Sequence, residues 1–326
     1  MPLASARILM FTQQIVIPPL PVSTYGYFSG GETGIGNYTI NTDRITFSSA
    51  TTAAHTASNL QTGTGVTPKG LSDCVTTGYI MGSHNQYCDQ IAFATGIDTT
   101  STVYLLNNNV NFSAISDGGS YGYGYLLGGV EATGTPYYSE TDRLTFSNKT
   151  LAANTVSNLT TVRASGAGVS DKVNYGYVGG GNTSSSYVAT SVLDRLTFST
   201  GATASATTSL INIFQYEAGV SGVLRGYIIG GYNSSVVQKT SNIITWSSGA
   251  VTAKTVTDLP TASGETDGTS DGSSYGYVVG GDDGVSVFFD TVWQITFSTD
   301  ITAAKTTAKQ SVGRANMSTM SDGWVN

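Results

Sequence analysis

The heptapeptide YGYLLGG at Tyr123–Gly129 decides the fold of this 326-residue chain, because close variants of it recur along the whole sequence. Each copy alternates with period 2 and ends in a glycine pair or its equivalent, which indicates a β-strand followed by a tight turn. The six copies are YGYFSGG at Tyr25–Gly31, TGYIMGS at Thr77–Ser83, YGYLLGG at Tyr123–Gly129, YGYVGGG at Tyr175–Gly181, RGYIIGG at Arg225–Gly231 and YGYVVGG at Tyr275–Gly281. We call them the diglycine strands, and their spacing of about 50 residues is a period of repeat architectures.

Three further strand-like segments follow each diglycine strand. The first, which we call the Asp-Arg strand, is DRITF at Asp43–Phe47, DQIAF at Asp89–Phe93, DRLTF at Asp142–Phe146 and Asp194–Phe198, NIITW at Asn242–Trp246 and WQITF at Trp293–Phe297. Next comes a segment such as LAANTVSNL at Leu151–Leu159 or VTAKTVTDL at Val251–Leu259, which we predict to be a strand. A fourth, looser strand ends in Ser-Asp, as at Ser170 and Asp171. Each unit is therefore predicted to be four short antiparallel strands without a helix.

Six such units cannot each bury two apolar faces alone, but radial stacking lets neighbouring units cover one another. The sequence thus predicts an all-β, six-bladed kelch-like β-propeller. The chain ends in SDGWVN at Ser321–Asn326, whereas the first diglycine strand has no Ser-Asp strand before it. We therefore expect the C-terminal strand to complete the first blade, which would close the ring by pairing the two terminal strands. Residues 22–326 are assigned to the propeller and residues 1–21 to an N-terminal arm that is disordered or, as we favour, docks on a partner.

Composition limits the partners that we expect. Charged residues make up only 11% of the chain and the net charge is −7. Because no cluster of Lys and Arg is present, we expect no binding to nucleic acid. No apolar run reaches the ~20 residues of a transmembrane helix, so no membrane insertion is expected. A weakly charged surface rich in Ser and Thr suits proteins or glycans.

Residues that could carry catalysis or bind metal are few. The chain has only two histidines, His55 and His84, whereas a mononuclear copper or zinc site needs two or three imidazoles with further ligands. Cys74 and Cys88 are predicted to be free thiols. We therefore expect no metal site, no catalytic residue and no cofactor.

An arginine recurs beside the aspartate in three Asp-Arg strands, at Arg44, Arg143 and Arg195. A sialidase-like enzyme would need an arginine cluster, but the equivalent positions in three blades favour a structural role. We predict interblade hydrogen bonds or ion pairs at the rim for these side chains.

Aromatic residues occupy the loops between the diglycine and Asp-Arg strands, which should all emerge on one face of the propeller. These candidate binding residues are Tyr38, Tyr87, Tyr137, Tyr138, Tyr187, Tyr232, Phe288 and Phe289. Exposed aromatic side chains stack on sugars or anchor protein partners. The alternative is that they pack against the neighbouring loop.

The succession of YGYxxGG, DRLTFS, a Thr-Ala-Ala-type strand and a Ser-Asp strand resembles the kelch-like repeats of structural proteins of tailed bacteriophages, especially phages of cyanobacteria. The resemblance covers about Tyr25–Asn326. It implies a non-enzymatic virion structural protein on the tail or capsid surface: a tail-fibre, tail-tip or decoration component. The arm would contact other virion proteins, the propeller would bind a host-surface glycan or another partner, and a homo-oligomer in the particle is possible. The alternatives are a soluble lectin-like propeller and, less favoured, a propeller enzyme.

Overall fold

The computed structural model describes residues 23–61, 67–84, 86–186 and 188–323. They form six four-stranded antiparallel sheets that are arranged as the blades of a β-propeller, so the predicted all-β, six-bladed architecture is confirmed. We number the blades 1 to 6 by the chain order of their diglycine strands. The N-terminal arm lies outside the described residues.

The four strands of each blade run from the centre of the propeller to its rim. The inner strands are Ser318–Ser321, Lys69–Ser72, Ser113–Ser116, Ala167–Ser170, Ala218–Ser221 and Asp267–Ser270 for blades 1 to 6. The diglycine strands are Tyr25–Ser29, Thr77–His84, Tyr123–Leu127, Tyr175–Gly179, Arg225–Ile229 and Tyr275–Val279. The Asp-Arg strands are Thr42–Thr46, Tyr87–Ala92, Thr141–Thr145, Leu193–Thr197, Ser241–Thr245 and Val292–Thr296. The outer strands are Thr51–Ala54, Ile97–Tyr104, Thr150–Ala153, Ala202–Ser205, Val251–Thr252 and Ile301–Ala304.

Small elements decorate the loops. Three two-stranded ribbons pair Glu32–Gly34 with Asn37–Tyr38, Asn109–Val110 with Val130–Glu131, and Tyr232–Asn233 with Val236–Val237. Single 3-10 turns lie at Thr56–Ser58, Thr155–Ser157 and Thr255–Thr257. In the part of the chain that the structure describes, no helix has both the length and the apolar character needed to cross a lipid bilayer.

The predicted third strand is shorter than its sequence suggested. In blade 3 the outer strand ends at Ala153, and a 3-10 turn replaces the rest of the predicted strand Leu151–Leu159. The turn is fixed from both sides, because Thr141 Oγ1 donates to the carbonyl of Ser157 at 2.9 Å and Leu159 is buried. Val251–Leu259 departs from the prediction in the same way, with a strand over only Val251–Thr252.

A ring of stacked aromatic pairs joins the blades. The tyrosine at the third position of each diglycine strand is buried and stacks on the aromatic residue that follows the Asp-Arg strand of the next blade. The pairs are Tyr27–Phe93, Tyr79–Phe146, Tyr125–Phe198, Tyr177–Trp246, Tyr227–Phe297 and Tyr277–Phe47, with centroid distances of 5.5–6.2 Å. Each such pair contributes about 0.5–1.5 kcal/mol beyond its buried area. The recurrent YGY and terminal Phe signals are therefore the interface between blades.

The inner strands approach one another so closely that a side chain does not fit at their second position. A Cβ placed on Gly168 would lie 2.1 Å from the carbonyl oxygen of Ala114 in the preceding blade, and one on Gly219 would lie 2.3 Å from that of Gly168. Glycine or another small residue is therefore required there in most blades, and the six strands enclose a narrow channel.

Blade 1 is assembled from the two ends of the described chain. Its inner strand Ser318–Ser321 pairs antiparallel with Tyr25–Ser29, with Ser321 opposite Gly26. The carboxylate of Asp322 accepts the N–H groups of Thr24 at 2.7 Å and of Tyr25 at 2.9 Å. Contacts between residues almost 300 positions apart in sequence therefore take the place of a covalent hairpin in this blade.

Candidate functional site: the channel and its two ends

The predicted loop tyrosines lie on the face where the diglycine strands end, which we call the diglycine face. Tyr137 accepts a hydrogen bond from Asn182 Nδ2 of blade 4 at 2.9 Å, and Tyr232 donates its hydroxyl proton to Asp282 of blade 6. Tyr138 donates to Glu131 Oε2 of its own loop at 3.0 Å. All three are half-buried, and the hydroxyls of Tyr137 and Tyr232 join loops of different blades, whereas that of Tyr138 stays within its own loop.

The other predicted aromatic residues divide between packing and exposure. Phe289 packs on the core edge-to-face with Trp293, and Phe288 is half-buried. Tyr38 is half-buried in the ribbon of blade 1. Tyr87 is exposed and forms an edge-to-face pair with Tyr104 at 5.7 Å. Tyr187 lies outside the described residues.

Among the described residues, the recurring arginines form none of the predicted interblade hydrogen bonds or rim ion pairs. The guanidinium of Arg44 lies 4.1 Å from the ring centroid of Tyr25, and the same arrangement recurs for Arg143 over Tyr123 at 4.2 Å and Arg195 over Tyr175 at 4.7 Å. Arginine and tyrosine belong to adjacent strands of one blade, so the contact is a cation–π interaction within the blade. The repeated Asp-Arg signal therefore has a structural explanation, although not the one predicted.

Two aspartates of the Asp-Arg strands instead bind buried arginines from elsewhere in the chain. Arg314 Nη2 donates to Asp43 Oδ2 at 2.6 Å, and Arg163 Nη1 donates to Asp194 Oδ2 at 2.9 Å. All four side chains are almost completely buried. Removing one partner of such a pair lowers the free energy of unfolding by about 3–5 kcal/mol. These ion pairs therefore stabilise the segments that lead into the inner strands of blades 1 and 4.

The inner strands surround a central cavity of about 100 Å³, and the end of it nearer to the diglycine face carries charge. Lys69 and Asp267 begin the inner strands of blades 2 and 6, and Lys69 Nζ lies 3.7 Å from Asp267 Oδ2. Blade 1 lies between these two blades, so the ion pair links two blades that are not neighbours in the ring. The remaining inner strands begin with Ser or Ala, which leaves the charge on one side of the lumen.

Glu217 is a second carboxylate in the channel wall and is only 2% exposed. Its Oε1 accepts a hydrogen bond from the N–H of Ala167 at 3.2 Å, whereas Oε2 has no hydrogen-bond partner among the described residues. Burial raises the pKa of Glu217 to about 8, against the opposing influence of backbone donors and of Lys69. Lys69 thus serves two carboxylates, because it also opposes the burial that raises the pKa of Asp267.

One end of the channel is a ring of serines. Each inner strand ends in a serine, and the six are Ser72, Ser116, Ser170, Ser221, Ser270 and Ser321. Ser170 Oγ donates to the carbonyl of Ser116 in the preceding blade at 3.0 Å, and its N–H donates to Ser221 Oγ in the following blade at 3.0 Å. Ser72 repeats the pattern between Ser321 and Ser116. The hydroxyls at this serine end therefore bridge the edges of neighbouring inner strands.

In blades 2, 3, 4 and 6 the aspartate after this serine closes the hairpin to the diglycine strand. Asp171 Oδ1 accepts the N–H groups of Val173, Asn174 and Tyr175 at 2.7–2.9 Å, and Asp271 does the same for Ser273, Ser274 and Tyr275. The Ser-Asp signal is thus a hydrogen-bonded turn that completes the serine ring.

The other end, the diglycine mouth, opens on the diglycine face. Six residues with φ of 52–59° surround it, one before each inner strand: Thr67, Asn111, Ser165, Tyr216, Glu265 and Asn316. The N–H of Ser165 donates to the carbonyl of Asn111 at 2.6 Å, and that of Tyr216 donates to Ser165 at 2.8 Å. The backbone of this ring is regular, whereas its six side chains are of five different types.

Acidic groups gather on one side of the mouth. Burial and then the neighbouring carboxylates of Asp282 and Glu32 raise the pKa of Glu265 well above its usual range. Glu265 Oε2 accepts a hydrogen bond from Asn316 Nδ2 at 2.6 Å, and Asp282 accepts from Tyr232. These carboxylates come from blades 1 and 6, so the mouth is chemically asymmetric.

The channel residues were not among the predicted site residues. Aligning the inner strands as KGLS, SAIS, AGVS, AGVS, DGTS and STMS would have marked Lys69 and Asp267 as charges in a slot of otherwise small residues. Glu217, Glu265 and Asp282 carry no comparable signal, because their proximity depends on how the blades meet. Within the described ranges, no group of three or more His, Cys, Asp or Glu side chains has an arrangement that could hold a metal ion.

Comparison with known proteins adds no relative to this description. No protein-family model matches the chain, and no curated protein is detectably similar to it in sequence.

Proposed function

We propose that this chain is a non-enzymatic display protein, a virion component of a tailed phage, whose diglycine face binds a partner on the virion or on the host surface. The observation that carries the proposal is the exposure of apolar loop tips on that face. Ile35 is 82% exposed and Val285 77%, and Val188 and Val236 are exposed in the loops of blades 4 and 5. Exposed apolar side chains that share one face are typical of interaction surfaces.

The contacts of the polar residues also support a role without catalysis. The recurring arginines lie on tyrosine rings, the buried arginines bind aspartates, and the Ser-Asp pairs hold turns. These residues therefore have structural tasks, while the residues that vary between blades lie on the diglycine face and in the channel.

The loop tips provide the test of partner binding. We expect Ile35→Ser combined with Val236→Ser and Val285→Ser to weaken binding to host cells or purified virions at least tenfold in a sedimentation assay, because the apolar contact area is lost. The matched control is Leu224→Ser, since Leu224 is 71% exposed in a hairpin at the serine end. Equal binding by the triple variant and the wild type would refute the role of this face.

The virion assignment is supported by the resemblance of the repeats and is tested through residues 1–21. Deleting them should prevent incorporation into particles while the propeller stays folded, as judged by its circular dichroism spectrum and thermal midpoint. Normal incorporation of the truncated chain would contradict docking through the arm.

A lectin-like propeller is the second candidate, and the exposed pair of Tyr87 and Tyr104 favours it. Two adjacent aromatic rings at the surface provide faces on which a sugar can stack. Binding on a glycan array that Tyr87→Ala abolishes would support this candidate, and an array without any binding would count against it. The matched control is Tyr121→Ala, because Tyr121 is similarly exposed in a hairpin at the serine end.

A further inference from the structure

Carboxyl groups are concentrated at the diglycine end of the channel. Glu32, Glu265 and Asp282 lie together at the mouth, and none of them forms an ion pair with a Lys or Arg among the described residues. Deeper in the channel, Lys69 faces both Asp267 and Glu217. Five carboxyl groups therefore lie around one lysine, and burial favours the protonated forms of Glu217 and Glu265. A cation bound here would favour their ionised forms and displace those protons.

Tyrosine rings accompany these carboxylates. Tyr38 is paired with Glu32 in the ribbon of blade 1, and the charges of Glu32 and Glu265 contribute to the raised pKa of its hydroxyl. Tyr232 hydrogen-bonds Asp282, and its ring meets that of Tyr216 edge-to-face at 6.5 Å. Carboxylates next to aromatic faces are the surroundings that organic cations prefer, because rings attract cations without a strong demand on geometry.

The buried carboxylate of Glu217 is an independent sign of a ligand. Its Oε2 has no partner within the described residues, although the side chain is almost completely buried and lines the channel. An oxygen in this position loses its hydration on folding without a hydrogen bond to replace it. A donor that reaches the channel from the mouth would supply that hydrogen bond.

We propose that the diglycine mouth and the channel below it bind a protonated primary amine, with Glu265 and Asp282 at the entrance and Glu217 at the inner end. An ammonium group offers three donors and one compact charge, which matches several carboxylate oxygens around a narrow lumen. The amine belongs to a free di- or polyamine or to a lysine side chain of a partner protein. This site is independent of the partner binding proposed for the loop tips, which involves different residues.

Titration calorimetry with cadaverine tests the site directly. We expect saturable binding to the full chain, and a loss of affinity of roughly tenfold or more in Glu265→Gln and in Glu217→Gln, because each removes a charge-assisted hydrogen bond. Glu140→Gln is the matched control, since Glu140 is an exposed acid in the corresponding loop of blade 3. Thermal midpoints of the free variants show that the isosteric changes leave the propeller folded. Equal affinity in all variants would overturn the proposal.

A substitution of Lys69 tests whether the bound ligand is positively or negatively charged. If the ligand is an amine, Lys69 competes with it, so Lys69→Gln should tighten cadaverine binding by roughly three- to tenfold. Loss of binding in this variant, saturable binding of acetate or phosphate instead of cadaverine, or binding of Ca²⁺ with no response to amines would each overturn the assignment.

The source of the amine is resolved by comparing cadaverine with a peptide in which a lysine is acetylated at its α-nitrogen and amidated at its carboxyl group, so that only the side-chain amine is charged. Tighter binding of cadaverine indicates a free diamine that spans the mouth and Glu217. Tighter binding of the peptide indicates a lysine of a partner protein, and both results support an amine site. Failure of both ligands to bind at millimolar concentration would refute it, whether or not the loop-tip variants affect partner binding.

Discussion

The two ends of the channel are made from the same six strands but differ in how their polar groups are satisfied. At the serine end the same residue recurs in every blade, and in blades 2 to 5 its hydroxyl bridges neighbouring strands. At the diglycine mouth the six ring residues are of five different types, and Glu265, Asp282 and Glu32 oppose one another. A residue that recurs in every blade builds the propeller, whereas carboxylates that crowd together in one place raise the energy of the fold unless a ligand relieves them.

The largest effect should follow from breaking the serine end. Deleting Arg314–Asn326 removes Ser321 from the ring, the inner strand of blade 1 and the partner of the buried Asp43. We expect an aggregating or unfolded product, because the edge of the diglycine strand Tyr25–Ser29 becomes exposed and Asp43 loses its countercharge. Size-exclusion chromatography and circular dichroism measure this. A soluble truncation with unchanged stability would show that the ring does not need its sixth strand.

A smaller effect at the same end comes from a single carboxylate. Asp322→Ala leaves the N–H groups of Thr24 and Tyr25 without their acceptor, and we expect the free energy of unfolding to fall by about 2–3 kcal/mol. Asp171→Ala should cost about the same, because that side chain has the same task in blade 4. Denaturant titration compares the two. A far smaller loss for Asp322 would mean that the chain ends contribute little to the ring.

The contrast between the two ends also explains which features the sequence could predict. The number of blades, their interfaces and the Ser-Asp turns were readable because a side chain such as Tyr177 or Asp171 meets the same surroundings in several blades. Even the exception follows the pattern: blade 5 has Gly222 in place of the aspartate, and the carbonyl of Gly222 accepts a hydrogen bond from Trp246 Nε1 at 2.8 Å. From the repeated Asp-Arg pair we predicted a structural role for Arg44, which agrees with its contact, but we predicted an interblade contact where Arg44 lies on a tyrosine ring of its own blade.

The channel site could not be predicted in the same way. Glu217 and Glu265 belong to short connecting segments in which no acidic residue recurs at either position, and Glu32 of blade 1 meets the carboxyl groups of blade 6 only after the ring has closed. The predicted loop tyrosines lay on the correct face, but their hydroxyls bind side chains that are up to about 50 residues away. Residues that recur with the repeat identify the packing between blades. Residues that depart from the repeat can be assigned a role only when the three-dimensional positions of the blades are known.

The buried carboxyl groups at the diglycine end of the channel should make the free energy of unfolding depend on pH. The unfolded chain releases the proton of Glu217 near pH 4.3, whereas the folded chain keeps it up to a pKa of about 8. Between these values the native state binds the extra proton, so the free energy of unfolding falls as pH rises. Between pH 6 and pH 8, ionisation of Glu217 should lower the free energy of unfolding of the wild type by about 2 kcal/mol. Glu217→Gln should lack this decrease in denaturant titrations. Part of the slope should remain, because the pKa values of Asp98 and Glu265 are raised as well.

The control for this pH effect lies at the serine end. Ser221→Ala removes a group without a titrating proton, so it should lower stability equally at pH 6 and pH 8. If Glu217→Gln has a slope identical to that of the wild type, the carboxylate is ionised in the folded chain and the contrast between the two ends is wrong at this residue.

The smallest and sharpest comparison is between two serines at opposite ends of inner strands. Ser221 Oγ accepts the N–H of Ser170, so Ser221→Ala leaves a buried donor unpaired and should cost about 1 kcal/mol. Ser318 Oγ, near the mouth, is buried and has no hydrogen-bond partner within the described part of the chain. Ser318→Ala should therefore change the free energy of unfolding by less than about 0.5 kcal/mol, because a methyl group loses nothing that the hydroxyl had gained.

Denaturant titration of both variants, with Ser199→Ala as an exposed control, measures the difference between the two ends at the level of one oxygen atom. A loss at Ser318 as large as that at Ser221 would mean that the mouth is hydrogen-bonded as completely as the serine ring. The effect of cadaverine on stability provides a further comparison of the two ends. Saturating cadaverine should raise the stability of the Ser221 and Ser318 variants by the same amount, since neither serine belongs to the amine site. It should raise the stability of Glu265→Gln by about 1.4 kcal/mol less, which corresponds to a tenfold weaker affinity.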